Sequence, residues 1–404
     1  MTINVKKVLQ NGLVTIIVSA LLFGMLMLTE TYKTVTISKF ILPQPIYGKH
    51  DKNGFQKSPT FLENKTKISE APKDAKLILY WIPSSSGFDY FGLKRYHTSF
   101  EGLKCPVGNC KVTEDKSAAY DADAIIFMGR ALGKKPEKRN PKTRWIWTNH
   151  ESPCHTYLSN DWTFNWTMTY RMDSDIYSPY GFPLLDKNHD EAKKRDFLSV
   201  ARSKTKLAAW AVSNCNAPSQ RMEYVKELQK YMSVDIYGGC GPFKCGRDRE
   251  AKCDDMFNKT YKFYLSFENS FATDYVTEKL YKILPLDVIP VTRSGANYTR
   301  LGIPPSWHID THDFKSPKEL AHRLKELDKD DVEYAKLLQS KAGIQVSYWI
   351  RAYCNICAKL HSPTEPVKSY SAQDIRSWYG TCKPPDDLRF MTRSRRSIED
   401  NFIM

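Results

Sequence analysis

The sequence predicts an α/β fold: two domains, each built on a parallel sheet, facing one another across a cleft, preceded by a single membrane-spanning helix and a stem. Three observations predict it. Short apolar runs rich in β-branched and aromatic residues alternate with amphipathic stretches over about 280 residues, as buried parallel strands and crossover helices do. At 404 residues the chain exceeds one typical core and suits two. The opening 30 residues differ in composition from all that follows.

In that opening segment, Lys6 and Lys7 precede an apolar stretch over 8–28. Roughly 20 helical residues cross a bilayer. The basic pair places residues 1–7 in the cytosol and the bulk of the chain in a lumen. A cleaved signal peptide is the competing reading, but Met27-Leu28-Thr29-Glu30-Thr31 makes no small-x-small cleavage site. Residues 29–75 carry Pro43, Pro45, Pro59 and Pro72 with little periodicity and read as a stem.

From Lys76 onward the strand candidates are Leu77–Ile82, Ala124–Met128, Arg144–Thr148, Leu207–Val212, Val234–Tyr237, Phe263–Phe267 and Val288–Thr292. Three helices are legible between and after them. Ser316, Pro317 and Glu319 spell an N-cap, a first-turn proline and a capping box, with Leu320, Leu324 and Leu327 on one face. A second helix begins near Ser219 with Met222, Val225, Leu228 and Met232 inward. A third follows Asp274, turns Val276, Leu280, Ile283 and Leu284 inward, and stops at Pro285. The expected division is 76–205 for the first domain, 206–350 for the second and 351–404 for a cysteine-containing terminal segment. There is no internal repeat.

Ten cysteines form an even set, as an oxidising compartment allows. Sequons begin at Asn64, Asn165, Asn258 and Asn297. The net charge of +15 raises the question of nucleic acid. The basic runs are short, scattered and without a recognition motif, so nucleic acid is excluded as a partner. A basic cleft for an anionic sugar nucleotide fits the charge better.

The densest segment is Phe267-Glu268-Asn269-Ser270-Phe271-Ala272-Thr273-Asp274-Tyr275-Val276-Thr277-Glu278-Lys279. It leaves a buried strand, crosses a polar turn and enters a helix. Ligands of open α/β sheets bind at the carboxyl ends of strands, and helix N-termini attract phosphate. Lys279 can neutralise a pyrophosphate there, and Glu278 can accept hydrogen bonds from sugar hydroxyls. A first-turn surface ion pair is the plainer alternative.

This run resembles the signature of the α1,3-fucosyltransferase family, and Gly295-Ala296-Asn297-Tyr298 resembles a turn of its invertebrate and plant members. Further matches follow in the family's order: Glu151-Ser152-Pro153; Asn165-Trp166-Thr167 through Tyr170-Arg171 to Asp173-Ser174-Asp175; Ser213-Asn214-Cys215 with Arg221; and Gly295-Ala296-Asn297-Tyr298. The resemblance spans residues 75–360. The pattern departs from the vertebrate form at Leu280–Leu284 and Ser294, after the charged cluster.

The resemblance implies a GT-B-like enzyme with two Rossmann-type domains, acceptor in the first and GDP-fucose in the second. It implies inverting transfer of fucose to O3 of an N-acetylglucosamine (GlcNAc) residue on glycoprotein glycans, in the Golgi as a type II membrane protein. Glu151 matches the family's general base, Arg221 and Lys279 its diphosphate-binding cations, and Glu278, Tyr275 and Asn269 its donor-site residues. No metal is then essential, with Mn2+ or Mg2+ as stimulants at most, and Asp173-Ser174-Asp175 is not a metal motif. Cys154, His150 and His155 crowd around Glu151, where packing or hydrogen bonding is favoured over a zinc site or a thiol nucleophile.

Cys105 and Cys110, with Cys354 and Cys357, resemble the family's paired terminal cysteines, which cross-link in vertebrate members; pairing within each motif stays open. Cys240, Cys245 and Cys253, spaced after Tyr237-Gly238-Gly239, resemble an insert of core-type members, which favours the N-glycan core GlcNAc over a terminal Lewis-type one; Cys215 is a further disulfide candidate. A fold-retaining, catalytically dead glycan-binding protein and a transferase of another nucleotide sugar are the competing functions. The first predicts loss of the glutamate or the cations, and neither is lost.

Overall fold

The computed structural model describes residues 75–81, 105–129, 131–245, 250–347, 351–382, 384–385 and 387–388. The expected membrane span, the stem and the Asn64 sequon lie outside them. Among the described residues, no helix is long and apolar enough to cross a membrane.

Fifteen short strands are described. They are β1 (Lys76–Tyr80), β2 (Cys110–Thr113), β3 (Ala124–Met128), β4 (Arg144–Asn149), β5 (Thr163–Phe164), β6 (Trp166–Thr169), β7 (Ile176–Tyr177) and β8 (Phe182–Leu185), followed by β9 (Lys206–Ala211), β10 (Val234–Tyr237), β11 (Tyr261–Phe267), β12 (Ile289–Arg293), β13 (Ile309–Asp310), β14 (Ile344–Ser347) and β15 (Tyr370–Ser371). Two parallel sheets result, ordered β2-β1-β3-β4-β6-β7 and β10-β9-β11-β12-β13. All seven expected strands are present. Four short ones in the sheets escaped the sequence reading: β2, β6, β7 and β13. Such brief runs have no recognisable period until a neighbouring strand pairs with them.

Strand alternation assigns the two faces of the second sheet. Phe263, Leu265 and Phe267 of β11 join the core under the Arg221–Leu228, Pro317–Lys329 and Asp331–Ser340 helices. Tyr264, between them, turns to the opposite face with Ala209, Phe257 and Ile283. The Phe197–Ser203 helix also packs on this sheet, through Phe197 and Ala201, although the expected boundary at 205 assigned it to the first domain.

The faces of the first sheet draw on the far end of the chain. Ile78, Ile126, Ile146 and Trp166 pack against Ala352, Tyr353 and Ile356 of the Arg351–His361 helix. On the other face, Phe127, Trp145 and Trp147 pack with Ala372, Ile375 and Tyr379 of the Ala372–Tyr379 helix. The expected terminal segment therefore supplies helices to both faces of the first sheet.

Five disulfides use all ten cysteines: Cys105–Cys354, Cys110–Cys357, Cys154–Cys382, Cys215–Cys240 and Cys245–Cys253. The terminal motifs cross-link rather than pair internally. Three bridges join residues 249, 247 and 228 positions apart. By loop entropy each contributes roughly 5 kcal/mol at most. Cys154, expected to pack or hydrogen-bond, is instead covalently tied to Cys382. No spacing signal marked that pair, because only the return of the chain brings it together.

Two helix starts differ from expectation. At Ser316 the hydroxyl accepts from Glu319 N at 3.3 Å, but the Glu319 carboxylate caps Lys315 N rather than the N-cap amide. The third helix is a single turn, Glu278–Tyr281, N-capped by Thr277. Its inward set is nonetheless buried as expected. Asp274 has φ +59°, and Glu268 takes Thr277 N at 2.8 Å, so the backbone between them is committed elsewhere.

Candidate active site

The signature segment begins at the carboxyl end of β11. Glu268, 1% exposed, accepts from Thr277 N and from the Thr277 hydroxyl at 2.9 Å, and pairs with Lys279 Nζ at 3.3 Å. Burial pushes its carboxyl above the ordinary range, against the pull of Lys279 and Thr277. The sequence reading quoted Glu268 inside the motif without giving it a role. Its structural role is to hold the loop that presents Glu278 and Lys279.

The three hydrogens of the Lys279 ammonium face three acceptors: Thr277 Oγ1 at 2.8 Å, Glu278 Oε1 at 3.0 Å and the Glu268 carboxylate. Burial opposes its charge, but Glu268 and Glu278 outweigh burial and hold its pKa above the usual value. The Glu278 side chain is 53% exposed against 2% for Glu268. Glu278 is thus the partner that an incoming anion displaces most cheaply.

Arg221 lies behind this pair at the start of the Arg221–Leu228 helix, which opens one residue after Gln220 at φ +51°. Ser219, the expected helix start, spends its hydroxyl on Glu268 O and its amide on Asn269 O. The Arg221 guanidinium is nearly buried and donates to Phe267 O at 2.8 Å and Asn214 O at 3.2 Å. Its Nε and the Oδ1 of Asn269 are buried without a hydrogen-bond partner among the described residues. Buried polar atoms are rarely left unmatched, and an orphan donor on Arg221 and an orphan acceptor on Asn269 fit a site that a ligand completes. Gln220 and Asp274 are the only non-glycine residues with positive φ among those described, and each precedes a candidate donor-site residue. Such backbone strain clusters at functional sites.

Glu151 follows β4, at the carboxyl edge of the first sheet. The Ser152 hydroxyl donates to the Ser270 hydroxyl, bringing the two motif loops together. Tyr275 is buried 5.0 Å ring to ring from Tyr170. Burial, then the fields of Glu268 and Glu151, push its hydroxyl well above the ordinary range. Arg221 in turn feels Glu268, Tyr275 and Glu278. The Ser152–Ser270 contact thus sets the Glu151 loop beside the segment that carries Asn269, Tyr275, Glu278 and Lys279, with Arg221 hydrogen-bonded to Phe267 O at its start.

His150, Tyr180 and Tyr379 also meet at the Glu151 loop and were given no site role from sequence. His150 Nε2 lies 2.7 Å from Ser178 O, which requires a proton on that nitrogen, and burial pulls its pKa down to about 4.

The Asp173-Ser174-Asp175 carboxylates are spent within the fold. Asp173 takes the Arg171 guanidinium through both oxygens, at 2.9 and 2.8 Å, and Trp378 Nε1 at 3.0 Å. Asp175 takes Thr167 N, Thr167 Oγ1 and Lys368 Nζ. Cys110, Cys357 and His361 lie together, but the two sulfurs are bonded to each other.

The sequons differ in access. Asn165 is 8% exposed, with Oδ1 on Trp145 N and Arg139 and Nδ2 on Lys368 O. Its side-chain amide is engaged within the fold. Asn258 is half-buried on a helix, and Asn297 is exposed.

Known proteins resemble the chain over most of its length. The profile described as "Glycosyltransferase family 10 (fucosyltransferase) C-term" matches residues 201–378, and "Fucosyltransferase, N-terminal" matches 73–181. The chain is 34% identical over 343 residues to glycoprotein 3-alpha-L-fucosyltransferase A of Drosophila melanogaster, covering 82% of this chain and 66% of that protein, just under two thirds of its length. It is 33% identical over 363 residues to alpha-(1,3)-fucosyltransferase C of the same fly, covering 78% and 81%. It is 37% identical over 285 residues to human 4-galactosyl-N-acetylglucosaminide 3-alpha-L-fucosyltransferase FUT6, covering 67% and 75%. A solved structure of an α1,3-fucosyltransferase with GDP-fucose aligns at TM-score 0.48 and 16% identity, over 75% of this chain and 94% of that one.

Proposed function

We infer the activity from one premise: the chain belongs to glycosyltransferase family 10, the fucosyltransferases. The reaction is transfer of L-fucose from GDP-fucose to O3 of a GlcNAc residue in a glycoprotein glycan, with inversion at the fucose carbon. The observation that carries this reading is the Ser152–Ser270 hydrogen bond, which holds the Glu151 loop against the segment bearing Asn269, Tyr275, Glu278 and Lys279.

Inversion in one displacement needs a base on the attacking hydroxyl and a stabiliser for the departing diphosphate. Glu151 takes the acceptor proton. Arg221 Nε and the Lys279 ammonium meet the charge that grows on the leaving oxygen. When phosphate takes a Lys279 hydrogen, Glu278 is released to accept from sugar hydroxyls. Asn269 and Tyr275 line the donor. Two cations make a metal inessential, and Mn2+ or Mg2+ then stimulates at most.

The favoured acceptor is the N-glycan core GlcNAc, supported by the Cys215–Cys240 and Cys245–Cys253 bridges of the core-type insert and by the fly relative's name as a glycoprotein transferase. The human relative's name supports a terminal N-acetyllactosamine acceptor as the second reading. The five disulfides support an oxidising lumen, and the apolar stretch over 8–28 supports a Golgi type II anchor.

The decisive experiment is Glu151→Gln. Transfer is lost by 10²-fold or more, while GDP-fucose still binds by calorimetry; wild-type turnover would remove Glu151 from the chemistry. Mass spectrometry of products from a core-only N-glycan and from N-acetyllactosamine separates the two acceptors.

A further inference from the structure

The Glu151 loop is held from behind by the end of the chain. Two consecutive carbonyls, His150 O and Glu151 O, each accept a tyrosine hydroxyl, the first from Tyr180 and the second from Tyr379. Tyr379 is 4% exposed and stands edge-on to Trp147 at 5.0 Å. Its hydroxyl also accepts from Asn149 Nδ2 at 3.1 Å. The same amide reaches Glu151 O at 3.1 Å and Thr156 Oγ1 at 2.6 Å. Three residues beyond Tyr379, Cys382 is bonded to Cys154, itself three residues beyond Glu151. One terminal turn therefore grips the loop at both ends, through a hydrogen bond at Glu151 and a covalent bond at Cys154.

The two grips do different things. The disulfide fixes where the loop lies but leaves the peptide plane after Glu151 free to tilt. Two donors, the Tyr379 hydroxyl and the Asn149 amide that this hydroxyl also engages, converge on the Glu151 carbonyl and fix that plane, and with it the direction in which the Glu151 side chain leaves the backbone. The same stretch of chain then reaches the other lobe. Asp387 pairs through both oxygens with Arg293 at 2.7 and 2.6 Å, Arg293 donates to Ser219 O, and Ser219 N donates to Asn269 O.

We propose that Tyr379, assisted by the Cys154–Cys382 bridge, is a positioning residue for Glu151: it sets the carboxylate's reach to the acceptor hydroxyl without touching either substrate. The proposal rests on Glu151 being the general base. Misplacing a reacting group by about 1 Å costs on the order of 10²-fold in rate, whereas donor binding depends on the other lobe.

The test uses the full chain with Tyr379→Phe, with Cys154→Ser/Cys382→Ser, and with Glu151→Gln as the reference. Phenylalanine keeps the packing on Trp147 and removes only the hydroxyl. Tyr379→Phe is expected to lower kcat about 10- to 100-fold, with the KM for GDP-fucose unchanged and the thermal midpoint lowered by no more than the loss of one buried hydroxyl accounts for. The paired serine variant, still carrying Tyr379, is expected to lose several-fold in kcat at unchanged donor KM. A Tyr379→Phe kcat within twofold of the parent overturns the proposal. So does a fall in kcat accompanied by a matching loss of donor affinity. Wild-type turnover in Glu151→Gln instead defeats the base reading, and the positioning proposal goes with it.

Discussion

The Ser152 hydroxyl donates to the Ser270 hydroxyl at 2.7 Å, with both side chains sealed from solvent. Ser152 is the neighbour of Glu151 on the first lobe, and Ser270 follows Asn269 on the second. This contact sets the register between the proposed base and the proposed donor loop.

Removing one hydroxyl leaves the other buried and unmatched, at a cost of about 1–3 kcal/mol. Ser152→Ala and Ser270→Ala should each lower the unfolding free energy by that amount, while the double alanine loses less than their sum. Chemical denaturation of the three variants checks this. Strict additivity would mean the two hydroxyls are not coupled.

Lys279→Ala removes the cation shared by Glu268 and Glu278. The KM for GDP-fucose should rise and kcat fall, because donor binding and leaving-group stabilisation draw on the same ammonium. Glu268, already raised by burial, should then take up a proton more readily. Adding Glu268→Gln to Lys279→Ala should recover stability but not donor affinity. Initial-rate kinetics and thermal melts of both variants distinguish these effects.

Arg293 is fully buried and Asp387 is its bidentate partner. Asp387→Asn keeps the shape but leaves a buried guanidinium without its counter-charge, which costs about 3–5 kcal/mol. The midpoint in urea should fall accordingly. A shift below about 0.5 kcal/mol, the usual range for exposed positions, would show that the tail is not anchored there.

His150 is held neutral by burial, its pKa depressed to about 4 from an ordinary 6.5. Between those values the unfolded chain binds a proton that the folded chain refuses. Stability therefore rises with pH through that window and is lost as pH falls from 6.5 toward 4. Many carboxylates contribute there too, so the measurement is a difference. His150→Gln should flatten the acid limb of the melting-temperature profile relative to the parent. Parallel profiles would mean that His150 titrates normally.

Much of this was legible in one dimension. The seven expected strands appear as contiguous apolar runs because both faces of a parallel strand are buried. The signature segment announced Glu278 and Lys279 because a strand-to-helix turn keeps its chemistry within thirteen residues. Where local geometry competed with a tertiary bond, the reading failed. Glu268 captures Thr277 and shortens the helix expected after Asp274 to one turn. The bonds of Asn165 to Trp145, Arg139 and Lys368 are equally invisible in the sequon pattern.

The sequence by itself determined the α/β alternation, the family and the chemical types available to the site. Only the tertiary structure decided which cysteines pair, which acids are consumed by the fold, and that Tyr379 and Cys382 return to the Glu151 loop. The physical reason is range. Backbone propensity and side-chain period act over a few residues, whereas a buried hydroxyl or a disulfide finds its partner through chain closure across more than 200 positions.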